Sequence, residues 1–323
     1  MTATADTLSA EYRALTEACG LVDRSERGKL ALTGSEAKVF LQGQVTNDVE
    51  RLEPGRGCYA AFLTHKGKML GDLRILDLGD ELLLDTERVA LQELFNMIRR
   101  YKLGSEVELH KRTLEMGLLS LIGPHARRIA DAGSLGRSEH DNARSEIAGR
   151  RVLLVTTDAG VDVFCDAADT AAVVAALEAA GAVPVSEETA EIVRVEHGRP
   201  RYGIELDEGV IPQEAGLNER AVSFTKGCYV GQETVARLFY RGKPNRRLRG
   251  LRLSDPAATG DVVRLGDKQV GRVATAVVSP AHGPIALAIV RREATPGDTV
   301  AVGESGVTAE VVELPFHPPA PAA

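Results

Sequence analysis

Residues 210–251 read VIPQEAGLNERAVSFTKGCYVGQETVARLFYRGKPNRRLRGL, and nowhere else does the chain gather so many chemically specialised side chains. A thiol, Cys228, stands two residues from an amine, Lys226, with Gly227 between them. Beyond it come Gly231, Gln232 and Glu233, then Arg237, Arg241, Lys243, Arg246, Arg247 and Arg249, a cationic run in a chain whose formal net charge is −7. Gly227 and Gly231 bracket Cys228-Tyr229-Val230, and glycine admits φ > 0 or a close approach of backbone to a neighbour. A tight, exposed turn is therefore expected. If ETVARLF is helical, Cys228 lies near a helix N-terminus beside an ammonium group, and both favour thiolate over thiol. Its chemistry would then be that of a nucleophile or a metal ligand. The competing reading is a small buried hydrophobe, the usual fate of a lone cysteine. The cationic run likewise reads either as a solvated face or as a nucleic-acid groove. Phe239 and Tyr240, which interleave with it, do not by themselves make a stacking platform.

Lys226-Gly227-Cys228-Tyr229-x-Gly231-Gln232-Glu233 resembles the K-G-C-Y-x-G-Q-E signature of the YgfZ family. These are folate-binding proteins implicated in iron–sulfur cluster assembly or repair and in tRNA modification. The similarity extends to Ile211-Pro212-Gln213-Glu214, to Val222-Ser223-Phe224 and to Val235-Ala236-Arg237. Relatives of that family include the folate-dependent T-protein of glycine cleavage and a mitochondrial iron–sulfur assembly factor.

At 323 residues the chain exceeds one typical core, so two or three structural units are expected. With 44% hydrophobic and 26% charged residues it has an ordinary globular composition. The acidic balance argues against bulk nucleic-acid binding without excluding a local basic patch. Cys19, Cys58, Cys165 and Cys228 are far apart, with no C-x-x-C pair and no Cys/His ligand spacing, so no metal site is expected. MTATADTLSAEYRAL shows neither a basic nor an apolar signal region, and no apolar run approaches the ~20 residues of a membrane span. A cytoplasmic location with reduced thiols is the expectation. The C-terminal PFHPPAPAA is expected to be disordered.

Along the chain, residues 7–19 read as a helix, and Gly34-Ser35-Glu36 caps a second. Gln42, Gln44 and Asn47, at and beyond its end, read as exposed polar positions. Cys58–Leu63 and Met69–Leu78 form a hairpin around His65-Lys66-Gly67-Lys68. Alternation puts Asp72 on the face of Leu70 and Arg74, where a carboxylate is normally solvated or paired with an arginine such as Arg74. Glu81–Asp85 is a third strand. The helix that follows carries a core stripe of Leu91, Leu94, Phe95, Ile98 and Tyr101. Residues 106–122 give two strands, 134–150 a polar connector, Val152–Val155 and Val161–Cys165 two more strands, and 167–180 a helix. Ser186-Glu187-Glu188 caps a helix that runs to Gly198. Strands and helices mix without regular βαβ alternation or a glycine-rich phosphate loop, so the class is α+β and no dinucleotide site is signalled. After Gly250, six short β runs separated by turn residues read as a small barrel or sandwich.

The resemblance adds roles. FLQGQVTND, residues 40–48, is similar to an element of the family. Arg194-Val195-Glu196-x-Gly198-x-Pro200-x-Tyr202-Gly203 is similar to the T-protein segment whose glutamate binds the pterin ring. Tyr59 and Asp72 match a Tyr and the second Asp of an Asp-Asp pair in the T-protein hairpin, while Gly71 replaces the first Asp. The resemblance implies an α+β, T-protein-like body (1–243, two subdomains) around a central folate cleft, a C-terminal β-barrel (244–316) and a tail (317–323). Tetrahydrofolate or a one-carbon derivative would be the cofactor, held by Tyr59, Asp72, Asp85, Glu196, Tyr202, Lys226 and Tyr229. Lys226 would meet the folate's glutamate tail or lower the Cys228 pKa, Cys228 would be the reactive group, and Gly227, Gly231, Gln232, Glu233 and Arg237 would complete the signature. The implied function is a folate-binding accessory factor for iron–sulfur clusters in client enzymes, with client or assembly proteins as partners and tRNA involved indirectly. The alternatives are an aminomethyl or methyl transferase and a tRNA-binding modification factor.

Overall fold

Two β-sheets packed face to face carry the site, and a closed barrel is docked beside them. The computed structural model describes residues 5–317. One antiparallel sheet has the spatial order Gly57–Leu63, Met69–Asp77, Leu82–Thr86, Gly28–Thr33, Glu108–Lys111. The other runs Val183–Pro184, Gly20–Asp23, Met116–Ile122, Gly160–Asp166, Arg150–Thr156, Asn142–Ile147, with a parallel pairing only at its first edge. Barrel closure comes from Arg246–Leu253, Gly283–Arg291, Lys268–Ser279, Val262–Leu265, Thr299–Val302 and Val307–Val312.

The strand Met69–Asp77 shows how sequence sets the layers. Side chains alternate across a strand, so Leu73 and Ile75 face the core formed with Phe40, Leu41, Leu94 and Ile98. Asp72, Arg74 and Leu76 face the second sheet. Leu76 and Leu83 meet Leu118, Leu153, Val155 and Phe164 there, forming a dry inter-sheet layer. At the same level of alternation but further along, Asp72, Arg74 and Asp85 make the layer's polar end. A third core, around Leu206, Val210, Leu217, Tyr229 and Val235, fastens the signature region to Ala61, Leu63 and Met69 of the hairpin.

Ser186 accepts from the Thr189 amide at 3.2 Å and so caps the helix Glu187–Glu196. That helix docks the barrel: Val195 packs with Leu248, Ile285, Leu287 and Phe316, and the Phe316 amide donates to the Glu196 carbonyl at 2.8 Å. Of residues 317–323 all but His317 lie outside the described residues, whereas Phe316, expected within the disordered end, is buried in that core. Among the described residues no helix is long and apolar enough to cross a membrane.

Three expectations need correction. Asn142–Ile147 is a strand where a polar connector was expected. It is a sheet edge with one partner, so its exposed Arg144 and Glu146 suit the position and erase the apolar signal. Residues 20–33, where the pattern signals no strand, hold the strands Gly20–Asp23 and Gly28–Thr33, whose nearly continuous burial removes alternation. Tyr101 leaves the helix stripe and is exposed, because the helix ends there against solvent.

Candidate functional site

A cavity of about 210 Å³ opens at the polar end of the inter-sheet layer. The first sheet gives it Tyr59, Asp72, Arg74 and Asp85, the second Ser120, Ile122 and Asp162, and the capped helix Ala190, Val193 and Arg194. Tyr59 is the register partner of Arg74 and Ala61 that of Asp72, so Tyr59 and Asp72 are diagonal neighbours across the hairpin. The phenol donates to Asp72 Oδ2 at 2.5 Å. Burial raises the Asp72 carboxyl to about 6 despite that bond, and Glu87 pushes the same way. An acid held near neutrality can accept, donate or carry a proton at this wall.

Asp85 lines the same cavity and is held there by two arginines. Arg27 makes a forked pair with it, 2.9 Å at each oxygen, and Arg74 Nε adds a bond of 2.7 Å. Burial opposes ionisation, yet Arg27 and Arg74 together hold the carboxyl well below the usual range. Asp85 is therefore a counter-ion that aims two guanidinium groups at this wall. Arg74 also pairs with Asp162 at 2.5 Å, so it is Asp85 and Asp162, and not Asp72, that neutralise it.

Two wall residues went unnoticed in the sequence. His140 sits within the stretch read as a connector, in left-handed backbone at φ 72°. It is buried, its Nδ1 has no partner, and burial pulls its pKa down to about 4, so the ring is neutral. Arg220 lies 5.1 Å over the Tyr59 ring, donates to Glu139 at 2.5 Å and leaves its buried Nε unpartnered. No motif marks either residue; only the fold brings them to Asp72.

Glu196 does not line this cavity. It lies in an adjoining hollow that shares Ile122, Asp158, Val193 and His197 with the first. Its Oε1 accepts from Tyr12 at 2.9 Å and from Ser279 at 2.5 Å, tying together the N-terminal helix, the capped helix and the barrel. Arg194 and Arg199 pair with Glu191, Glu205 and Asp158, so they do not neutralise Glu196. Tyr202 is half-buried between two cores and lines neither hollow.

The signature loop stands apart from both hollows. Lys226 is buried, and its Nζ donates to the carbonyls of Gln42, Val45 and Asn47 at 2.5, 2.7 and 2.9 Å. Desolvation lowers its pKa to about 8. The expected roles for this ammonium, against a glutamate tail or a thiolate, are corrected: it closes the end of the helix Ala37–Gln42. Gln42 is correspondingly buried, with Oε1 accepting from the Val49 amide at 2.7 Å, and is not the exposed polar residue expected. Tyr229 is buried against Lys226, 5.0 Å from ring centroid to Nζ. Gly231 has φ 84°, and a Cβ there would lie 2.5 Å from the Thr64 carbonyl oxygen. The helix begins only at Gln232, so Cys228 lies outside its first turn. Cys228 is exposed and lines none of the hollows described above. Glu233 and Arg237 form an exposed pair one helical turn apart, 2.5 Å long. Among the described residues no group of three or more His, Cys, Asp or Glu could hold a metal ion.

Comparison with known proteins places this geometry. Residues 2–226 match the GCVT N-terminal domain and residues 246–317 the glycine cleavage T-protein C-terminal barrel domain. A protein of Arabidopsis thaliana named "Putative transferase At1g60990, chloroplastic" is 30% identical over 93% of this chain and 72% of its own length. An aminomethyltransferase of Rubrobacter xylanophilus is 31% identical over 96% of this chain and 86% of its own. The crystal structure of the glycine cleavage system aminomethyltransferase T from Bartonella henselae superposes with a TM-score of 0.86 at 22% identity, over 96% of this chain and 89% of that one, and so shares the fold. With both the two-sheet body and the barrel matched in order, the chain belongs to the glycine cleavage T-protein family.

Proposed function

We propose that this protein binds tetrahydrofolate or a one-carbon derivative at the Asp72 cavity and acts as a YgfZ-type accessory factor, supporting iron–sulfur cluster assembly or repair in client enzymes, tRNA-thiomethylating ones among them. The observation that carries the binding is a cavity lined by Asp72, whose carboxyl is raised to about 6, and by His140 and Arg220, whose buried Nδ1 and Nε have no partner. Buried polar atoms left unpaired cost free energy, and a heterocycle with donors and acceptors on its edge would satisfy them. The cavity, about 210 Å³, falls below the roughly 300–1,000 Å³ of sites that enclose a drug-sized ligand. It suits a pteridine ring, with the remainder of the folate outside, and Glu196 is reached through the adjoining hollow.

Bound tetrahydrofolate would supply the nitrogens that carry a one-carbon unit. The protein's part is to orient the ring with Tyr59 and Asp72, exclude water and hold a proton at the Asp72 carboxyl. The exposure of Cys228, on a loop otherwise anchored by buried Lys226 and Tyr229, supports a role in contact with another macromolecule. In purified Cys228→Ala, tetrahydrofolate should bind with near wild-type affinity while activity of a cluster-dependent client falls in cells. Unchanged client activity would remove the proposed role.

The second reading, a folate-dependent aminomethyl or methyl transferase, is favoured by the Asp72 carboxyl near 6 and by the relatives named aminomethyltransferase. Conversion of an aminomethylated carrier protein to methylene-tetrahydrofolate would decide for it.

A further inference from the structure

One mouth of the barrel carries charge where its wall elsewhere carries hydrocarbon. Along Arg246–Leu253 alternate side chains share a face, so Arg247, Arg249, Leu251 and Leu253 form one row. Leu251 and Leu253 belong to the barrel core, as do Val290 and Ala288, the register partners of Arg247 and Arg249. The inward row of this strand therefore begins with two guanidinium groups. Lys243, Pro244, Arg292, Ala294 and Thr295 complete a cleft of about 350 Å³ around them.

The charge in this cleft is barely compensated. Among the described residues no carboxylate lines it, and Lys243, Arg247 and Arg292 have no ion-pair partner. Arg249 gives Nη1 to Glu313 at 2.9 Å, while its buried Nε has no partner. Burial depresses the Arg249 pKa, Glu313 offsets part of that, and the neighbouring Arg247 adds to the depression. Gathering like charges at a partly desolvated rim costs stability. Leucine at 247 and 249 would instead have extended the core.

We propose that this cleft binds a phosphate-bearing anion, with Lys243, Arg247 and Arg292 as its charge partners and Arg249 Nε as a donor. Barrel mouths recur as ligand sites, and the volume falls within the usual range for small ligands. Guanidinium groups match phosphate oxygens in geometry. Four cations against the single Glu313 leave more positive charge than one carboxylate ligand would neutralise, which favours a di- or triphosphate. The cleft shares no lining residue with the Asp72 cavity, so it is a separate site.

Calorimetric titration of the full-length protein with inorganic pyrophosphate at low salt tests this. Saturable binding is expected, weakening as salt rises and at least tenfold weaker in Arg247→Ala and in Arg292→Ala. Both side chains are exposed, and an unchanged melting temperature in each variant shows that the fold is kept. Tetrahydrofolate affinity should be unaltered in both. ADP distinguishes the sources of phosphate: binding tighter than pyrophosphate assigns a nucleotide, weaker binding a free phosphate, and either order supports the site. No saturable pyrophosphate binding, equal affinity in the variants, or tighter binding of tricarballylate than of pyrophosphate would overturn the proposal.

Discussion

Tyr59 and Asp72 meet across a hairpin at 2.5 Å, phenol to carboxylate, in a wall shared by two sheets. The contact is diagonal in the ladder, so it depends on strand register and would be lost by a slip of one residue. It also leaves a carboxyl where water cannot solvate its charge.

That burial has a pH signature. The folded-state pKa of Asp72, about 6, lies above its ordinary value of 3.8, so protonation stabilises the fold. The contribution is full below pH 4 and is lost as pH rises through 6, amounting to about 3 kcal/mol. Asp72→Asn should therefore be more stable than wild type at pH 8 and no more stable near pH 4. Urea midpoints at the two pH values measure this; parallel pH curves for the two proteins would rule it out.

His140 acts with the opposite sign. Its folded pKa, about 4, lies below the ordinary value of 6.5, so the neutral ring is favoured. Its contribution is present above pH 6.5 and is lost as pH falls through 4, again about 3 kcal/mol. The two wall residues thus offset one another in wild type between pH 4 and 6.5. His140→Gln should expose the Asp72 dependence, with stability falling as pH rises across that window, and Asp72→Asn the reverse. Denaturation across the window in both single variants checks the pair.

Lys226 and Cys228, two residues apart, should separate cleanly. Lys226→Ala leaves three carbonyls without their ammonium donor and should destabilise by about 3 kcal/mol. Cys228→Ala, at an exposed position, should stay within about 0.5 kcal/mol of wild type. Equilibrium denaturation reads both, and a large loss in the cysteine variant would contradict its placement.

The two signature glycines should differ as well. Gly231→Ala must adopt φ 84° and meet the Thr64 carbonyl, at a cost of at least roughly 2 kcal/mol. At Gly227 a Cβ meets nothing within 4 Å, so Gly227→Ala should change stability by less than about 0.5 kcal/mol. Thermal melts of the two variants are the measurement.

These residues also show how far the chain could be read unaided. The barrel was legible because its strands are short, alternating and cut by Gly266-Asp267 and Pro296-Gly297-Asp298; closure, as against a sandwich, needed the pairing of Arg246–Leu253 with both Gly283–Arg291 and Val307–Val312. The signature was legible as unusual, but the partners of Lys226 lie about 180 residues away, and local spacing cannot reveal them. Asp72 stood out as a carboxylate in a strand. His140 and Arg220 did not, since nothing local distinguishes a polar residue on a loop from one that closes a cavity. Glu196 was expected beside Asp72, whereas its place on the capped helix puts it one hollow away.

The ammonium that joins Lys226 to the Gln42 carbonyl spans 184 positions of chain. On a ribosome adding about 5–20 residues per second, the second partner emerges some 10–40 s after the first. Throughout that interval the carbonyl end of the helix Ala37–Gln42 must wait for its donor, so a nascent chain halted before residue 226 keeps an unfinished hairpin face. Completion of the first-made half is thereby timed by the arrival of the signature loop.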